Sequence, residues 1–276
     1  LALLPDSRKA QVAAHRYGVR RQAAISLQET GVNELDFSGK TVLVVGGSSG
    51  IGNGIAQAFR RQGADVHVWG TRAGAEDYAD SQGSDLTGLH YSQVDVGDVD
   101  SVEHVQVPFQ SLDVLILAQG MVLYKRREFK TAAFRQVLDV NLTSLMACAD
   151  RFYEMLRRSQ GSLITISSTA AFHSTRGNPA YNASKTGAVG LTRTLGEAWA
   201  REGIRVNGIA PGFVPTKMTK VTTDDPERLE GAIRRIPLGR MGTPNDMAGV
   251  ALFLASPLAA YVVGQTIPVD GGLILA

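Results

Sequence analysis

The chain has 276 residues, 44% hydrophobic, 20% charged and 7% aromatic, a composition that excludes a disordered chain, a collagen and a disulfide scaffold. Twenty-eight basic against 26 acidic side chains leave a formal charge of only +2, so nothing calls for nucleic acid as a partner. A single cysteine, Cys148, can form neither an internal disulfide nor a metal site, and a reducing, cytoplasmic compartment is expected.

Residues 1–28 carry Arg8, Lys9, Arg16, Arg20 and Arg21 against Asp6 alone, a local charge of +4. Residues 1–36 are therefore expected to form a basic, helical N-terminal extension, in preference to a transit peptide. From Phe37 onward short apolar runs alternate with longer segments of helical period. Strands are expected at 41–45, 66–69, 89–95, 113–118, 163–167, 205–210 and 266–269. Helices are expected at 53–62, 131–156, 183–201 and 244–255. The strands are apolar nearly throughout, as when helices cover both faces of a parallel sheet. This predicts one α/β domain over 37–276, a Rossmann-type doubly wound sheet of about seven strands. No apolar run reaches the length of a membrane span, so no membrane partner is expected.

The first strand runs into Gly46-Gly47-Ser48-Ser49-Gly50-Ile51-Gly52. Gly46 permits the tight turn out of the strand, Gly50 lets backbone approach a pyrophosphate, and Gly52 lets helix and strand pack closely. The helix that follows presents free N–H groups to the phosphates. A strand before and a helix after are the context in which glycines at this spacing bind a dinucleotide.

Further along stand Ser168 and, thirteen residues later, Tyr181-Asn182-Ala183-Ser184-Lys185. Tyr181 and Lys185 are four apart and share a helix face. A free tyrosine has a pKa of about 10. A neighbouring ammonium and an oxidised nicotinamide would favour the phenolate, so Tyr181 is expected to titrate lower and to act as general acid or base. Ser168, at a strand's C-terminal end, can hold the same substrate oxygen.

The glycine spacing and the Tyr-x-x-x-Lys resemble the classical short-chain dehydrogenase/reductase family, in particular its 3-oxoacyl-carrier-protein-reductase-like members, from about Phe37 to Gly272. The resemblance implies a catalytic set of Asn141, Ser168, Tyr181 and Lys185, with Asn141 holding a water that links Lys185 to solvent. It also implies cofactor contacts from Asp95 and Val96 after the third strand, from Ala118 and Gly120 after the fourth, and from Pro211, Gly212, Val214 and Thr216. Tyr181 and Lys185 themselves complete that set beside Ser48, Ser49 and Ile51 of the glycine loop.

Cofactor choice is read at the end of the second strand. Thr71 stands where an NAD enzyme usually places an acid, and Arg72 follows. A guanidinium there suits a 2′-phosphate, so NADP(H) is expected over NAD(H). Two departures stand out. Val45 replaces the family's threonine, and Leu117-Ala118-Gln119 replaces its Asn-Asn-Ala before Gly120, which puts local order and cofactor affinity in question.

The activity implied is interconversion of a ketone and a secondary alcohol, with a small carbonyl or alcohol compound as substrate and a hydrophobic or 3-oxoacyl compound favoured. The alternative is a dinucleotide-binding sensor without turnover; an extended-family epimerase ranks last. Lys125-Arg126-Arg127 is expected to be a solvated face and Cys148 a core residue. Excess apolar surface on 131–156 and 183–201, with the tail 271–276, implies a homotetramer or homodimer. No metal is expected.

Overall fold

In a computed structural model of the protein, residues 33–275 are described. Most of the expected N-terminal extension therefore lies outside the described residues.

Seven parallel strands form one sheet: β1 (Thr41–Val45), β2 (Asp65–Gly70), β3 (His90–Gln93), β4 (Val114–Leu117), β5 (Ser162–Ile166), β6 (Arg205–Pro211) and β7 (Thr266–Val269). Their order is β3-β2-β1-β4-β5-β6-β7. The strand order reverses between β1 and β4, and a doubly wound sheet holds its ligand in the crevice that opens there. Successive side chains of a strand face opposite sides. Val42 and Val44 join one buried cluster with Ile55, Phe59 and Met247, and Leu43 and Val45 join another with Trp69, Leu145 and Phe152. The continuous apolar reading of the strands is thus the signature of two cores.

Helices α1 (Gly50–Arg61) and α8 (Pro244–Ala255) lie over the first core. A Cβ at Gly54 would stand 2.4 Å from Pro244 Cβ, so glycine sets how closely those two helices approach. The start of α8 has a capping box. Thr243 Oγ1 accepts from Asp246 N at 3.2 Å, and Thr243 N donates to Asp246 Oδ2 at 2.7 Å. The remaining helices are α2 (Val99–His104), α3 (Thr131–Leu138), α4 (Ser144–Ser159), α5 (Pro179–Trp199), α6 (Lys220–Thr223) and α7 (Pro226–Arg234).

Several elements differ from the sequence expectation, among them the unexpected α2 and an α5 that begins at Pro179. β3 is shorter, because Asp95 turns its carboxylate onto Gly97 N at 2.9 Å and takes the chain out of the sheet. The single helix expected over 131–156 is two helices joined by a π-turn at Asp139–Thr143. The segment before Ile236 holds α6 and α7, both too short to show a clear period in sequence. Among the described residues no helix is long and apolar enough to cross a membrane.

Candidate active site

The C-terminal ends of the strands open into a cleft of about 690 Å³. The glycine loop forms one wall. Gly46 takes φ +75°, and a Cβ there would sit 2.8 Å from Gln119 backbone; a Cβ on Gly52 would meet Gly46 O at 2.3 Å. Ser48, Ser49, Gly50 and Ile51 line the same wall, with Thr71, Asp95 and Val96 at one end. Ala118, Gly120, Pro211, Gly212, Val214 and Thr216 line the other, beside Ser168, Tyr181 and Lys185.

One expected contact is not brought in. Arg72 does not line the cleft. Its guanidinium lies over the Tyr78 ring, 4.5 Å from the centroid, and donates to Asp77 O and to Ser81 Oγ. It staples the segment after β2 to itself. That segment also closes over the glycine loop: Gly50 N donates to Gly83 O at 2.7 Å, and Asn53 Nδ2 to Asp85 O at 2.8 Å. Besides Lys185, the cation that lines the cleft is Lys217, its Nζ 5.6 Å from the Tyr78 ring centroid. Sequence reading passed over Lys217, because only the folded chain brings residue 217 opposite residue 78.

The chemistry-bearing groups meet at the cleft's inner end. Ser168 stands two residues beyond the end of β5 and caps a short 3-10 turn, its Oγ accepting from Ala170 N at 3.1 Å. Tyr181 and Lys185 stand on α5, which is anchored to β5 by Ser167 Oγ donating to Lys185 O at 2.8 Å. The Lys185 ammonium is buried, and its hydrogen bond among the described residues goes to Ile166 O at 2.9 Å. Burial pulls its pKa down to about 8. A buried ammonium has three donors and one is used here. A Cβ on Gly120 would lie 3.4 Å from that nitrogen, so glycine leaves the space in front of it clear. Sugar hydroxyls of a dinucleotide fit this space and this donor set.

The expected lowering of the Tyr181 pKa is not found in the protein by itself. Burial pushes the phenol above its ordinary value; the Ser168 hydroxyl opposes this, while Tyr124 and Glu128 add to it. Lys185 exerts no comparable pull, since its ammonium is drawn to Ile166 O and stands 5.8 Å from the ring centroid. Tyr181 is therefore protonated at neutral pH, the form that donates.

Asn141 is fully buried in the π-turn between α3 and α4. Its Nδ2 donates to Met121 O at 2.9 Å and Ser184 Oγ at 3.1 Å, and its Oδ1 accepts from Met121 N at 2.7 Å. The side chain is thus spent on fixing the Gly120–Met121 turn beside Lys185. A π-turn puts one extra residue into the helix and aims a side chain that an unbroken helix would direct elsewhere.

Glu128 was invisible as a site residue in sequence, following as it does the basic run 125–127. That run is an exposed turn, whereas Glu128 is 1% exposed. Its Oε2 accepts from Tyr181 N at 2.9 Å; its Oε1 accepts from Leu123 N at 2.9 Å and Asn178 Nδ2 at 3.3 Å. Asn178 makes no side-chain cap of its own, so a carboxylate from a distant turn caps the helix that carries the tyrosine.

The altered fourth-strand motif leaves the sheet intact. Ala118 N donates to Val45 O at 2.9 Å, Leu117 pairs with Thr165, and Leu117 and Val45 are fully buried. Apolar packing stands where the family has asparagines. Gln119 donates to Ser144 Oγ at 2.9 Å and leaves its buried Oε1 without a partner among the described residues.

Residues 45–274 match the family model described as enoyl-(acyl carrier protein) reductase. The chain belongs to the short-chain dehydrogenase/reductase family. It is 38% identical over 254 residues to the 3-oxoacyl-[acyl-carrier-protein] reductase FabG of Chlamydia pneumoniae, covering 87% of this chain and 99% of that one. It is 35% identical over 245 residues to the 2-dehydro-3-deoxy-D-gluconate 5-dehydrogenase of Bacillus subtilis, covering 86% and 95%. Among solved structures, the Pseudomonas aeruginosa RhlG/NADP active-site complex superposes with a TM-score of 0.78 at 30% identity, covering 87% and 98%. A Beutenbergia cavernae protein with bound NADP gives 0.79 at 36%, covering 88% and 100%. As a member of this family the protein is an oxidoreductase.

Proposed function

We propose that the protein is an NADP(H)-dependent enzyme that interconverts a ketone and a secondary alcohol, with Tyr181 as the general acid or base. The observation that carries this reading is the meeting of the Ser168 and Tyr181 hydroxyls and the buried Lys185 ammonium where the cleft joins a second pocket. The relatives that carry NADP support the cofactor.

Gly46, Ser48, Ser49, Gly50, Ile51 and Gly52 would hold the phosphates and the adenosine ribose, and Lys185 with Gly120 the nicotinamide ribose. Val214 and Thr216 would hold the carboxamide. When bound, the nicotinamide supplies or accepts the hydride. The protein's own part is to hold the substrate oxygen between two hydroxyls and move a proton to it. Ser168 donates a hydrogen bond to that oxygen as negative charge grows there. Tyr181, protonated at neutral pH, gives its proton to the same oxygen. In oxidation the same groups run in reverse.

Tyr181→Phe removes the proton and little else. Turnover of a ketone panel should fall by at least about a thousandfold, with NADPH affinity within about twofold of the parent, read by fluorescence titration. Near-normal turnover in that variant would reject the mechanism. Tight NADPH binding by the parent with no ketone turned over would favour the sensor.

The working form is proposed to be a homotetramer, or a homodimer, built on the faces of α4 and α5. Leu145, Phe152 and Leu195 are already core residues of the single chain, but Met146 on α4 is 40% exposed. At the far end, Leu275 is 87% exposed. Sedimentation at micromolar concentration should give four chains; a stable monomer would exclude both assemblies.

A further inference from the structure

The N-terminal ends of the strands, away from the cleft, carry a group of side chains that the proposed reaction does not use. β2 begins Asp65-Val66-His67, and alternation along a strand puts Asp65 and His67 on one face of the sheet. The register pairs His67 with His90, the first residue of β3, and paired residues of neighbouring strands project to the same side. Two imidazoles and a carboxylate therefore meet, with one ligating atom of each within 4.8 Å of the others. His67 Nε2 lies 3.3 Å from Asp65 Oδ2, and His90 Nε2 lies 3.0 Å from Asp65 Oδ1. Bonds of about 2.0–2.2 Å in a tetrahedral metal site leave neighbouring ligand atoms about 3.3 Å apart. Both separations are already close to that spacing. The remaining adjustment falls on His90 and Asp65, whose side chains are 62% and 54% exposed and can turn without disturbing a core.

His67 is the fixed member of the group. Its ring is held between His90, 4.7 Å away by centroids, and Phe109, at 4.8 Å. Its Nδ1 is buried without a partner among the described residues, so its polar contact is made by Nε2. A buried imidazole with one nitrogen unpaired costs stability that an apolar side chain in the same place would not. A task for the nitrogen that faces Asp65 and His90 accounts for that cost. Two imidazoles with one carboxylate suit zinc and its transition-metal neighbours, whereas calcium and magnesium call for oxygen ligands.

We infer that Asp65, His67 and His90 form a binding site for a divalent transition-metal ion of the zinc class, with solvent completing its coordination. The ion joins β2 to β3, the edge strand of the sheet and only four residues long. Without the ion, Asp65 is the hydrogen-bond partner of both imidazoles. The cleft opens at the opposite ends of the strands, so the ion fastens the sheet and takes no part in the proposed reaction. The expectation of no metal follows from sequence because Asp65-x-His67 is only half a site, and the strand register alone supplies His90.

The experiment titrates zinc chloride into the untagged, chelator-treated chain and follows heat and melting temperature. The parent should bind one ion at this site, and zinc at a hundredfold excess over its Kd should raise the melting temperature by about 5 °C. His90→Ala, a change at an exposed side chain, should melt near the parent without zinc. It should bind zinc at least about tenfold more weakly and lose most of the rise, and Asp65→Asn should do the same. His104→Ala on α2 removes an imidazole outside the group and should bind as the parent does. Cobalt(II) in place of zinc should give the strong visible bands of a four-coordinate ion, and these should vanish in His90→Ala. No binding by the parent, or the same affinity and the same rise in His90→Ala and Asp65→Asn, would overturn the inference. Each readout is independent of turnover, so the result decides this site whatever becomes of the proposed function.

Discussion

At the scale of single residues, the helix that carries Tyr181 begins without a cap of its own. Glu128 supplies one from a turn some fifty residues earlier, so a carboxylate far from the substrate fixes where the phenol stands. Glu128→Gln keeps the volume but turns an amide N–H toward the N–H of Tyr181 or Leu123. A buried donor without an acceptor costs about 1–3 kcal/mol. Urea unfolding should show a loss of about 2 kcal/mol with an unchanged slope. Turnover should also drop by about tenfold while NADPH binding holds, because misplacement harms the proton transfer and not the cofactor. A variant as stable and as active as its parent would show that the cap is dispensable.

What could be read from the residues in order was what depends on local spacing. The glycine loop and the Tyr181–Lys185 pair on one helix are each complete within a few residues, and each is placed where it was expected. Glu128 and Lys217 depend on segments that only the fold brings together, whereas the partners of Arg72 lie within nine residues of it in an irregular segment without a spacing to read. Asn141 is a mixed case. Its identity was legible from the resemblance, but the π-turn that aims it was not, since its apolar period continues without a break into the helices on either side.

At the scale of elements, the segment between β2 and β3 decides how the adenosine end of the cleft is built. Arg72 is bound into that segment, and Lys217 faces it from the stretch that follows β6. The two roles separate by mutation. Lys217→Ala should weaken NADP(H) by about tenfold and NAD(H) by about twofold or less, as expected for a lost charge-assisted contact to a 2′-phosphate. Arg72→Ala should loosen the segment and weaken both cofactors alike. Equal effects of Lys217→Ala on the two would place that ammonium on the shared pyrophosphate instead.

The edge of the sheet carries another device. His67 on β2 is buried against Phe109 and stacks on His90 of β3, and both imidazoles reach Asp65, at 3.3 and 3.0 Å. Burial lowers the His67 pKa below the ordinary value of 6.5, with Asp65 opposing it in part. As pH falls, the unfolded chain takes up the proton first. The stability that the neutral imidazole contributes is therefore complete above about pH 6.5 and is lost as pH falls through the lowered native pKa. Urea midpoints should decline between pH 7 and 5, and His67→Leu should flatten that decline. An equally steep decline in the variant would assign it to other groups.

At the scale of the whole molecule, the two cores on either side of the sheet explain why so altered a fourth-strand motif is tolerated. Leu117 and Val45 gain in packing what an asparagine and a threonine would supply in hydrogen bonds, and the strands remain in register. The substituted positions are thus settled by the core, while the residues that touch cofactor and substrate lie on the loops beyond the strand ends. That division is why the family could be read from motifs and the substrate could not. Motifs report the dinucleotide side of the cleft, and the other side is lined by α6, Arg235 and the turn around His173, which have no fixed spacing.

Cys148 lies on α4 with no exposed surface, and burial pushes its thiol up to about 12. The thiolate that alkylating reagents attack is therefore almost absent in the folded chain, and the sulfur is sealed from them. It becomes reactive when α4 leaves the second core, and the chain has no other thiol to confuse the signal. The rate of labelling in native buffer then measures how often that core opens, so the protein carries its own clock for breathing, readable without denaturant and without any added probe site.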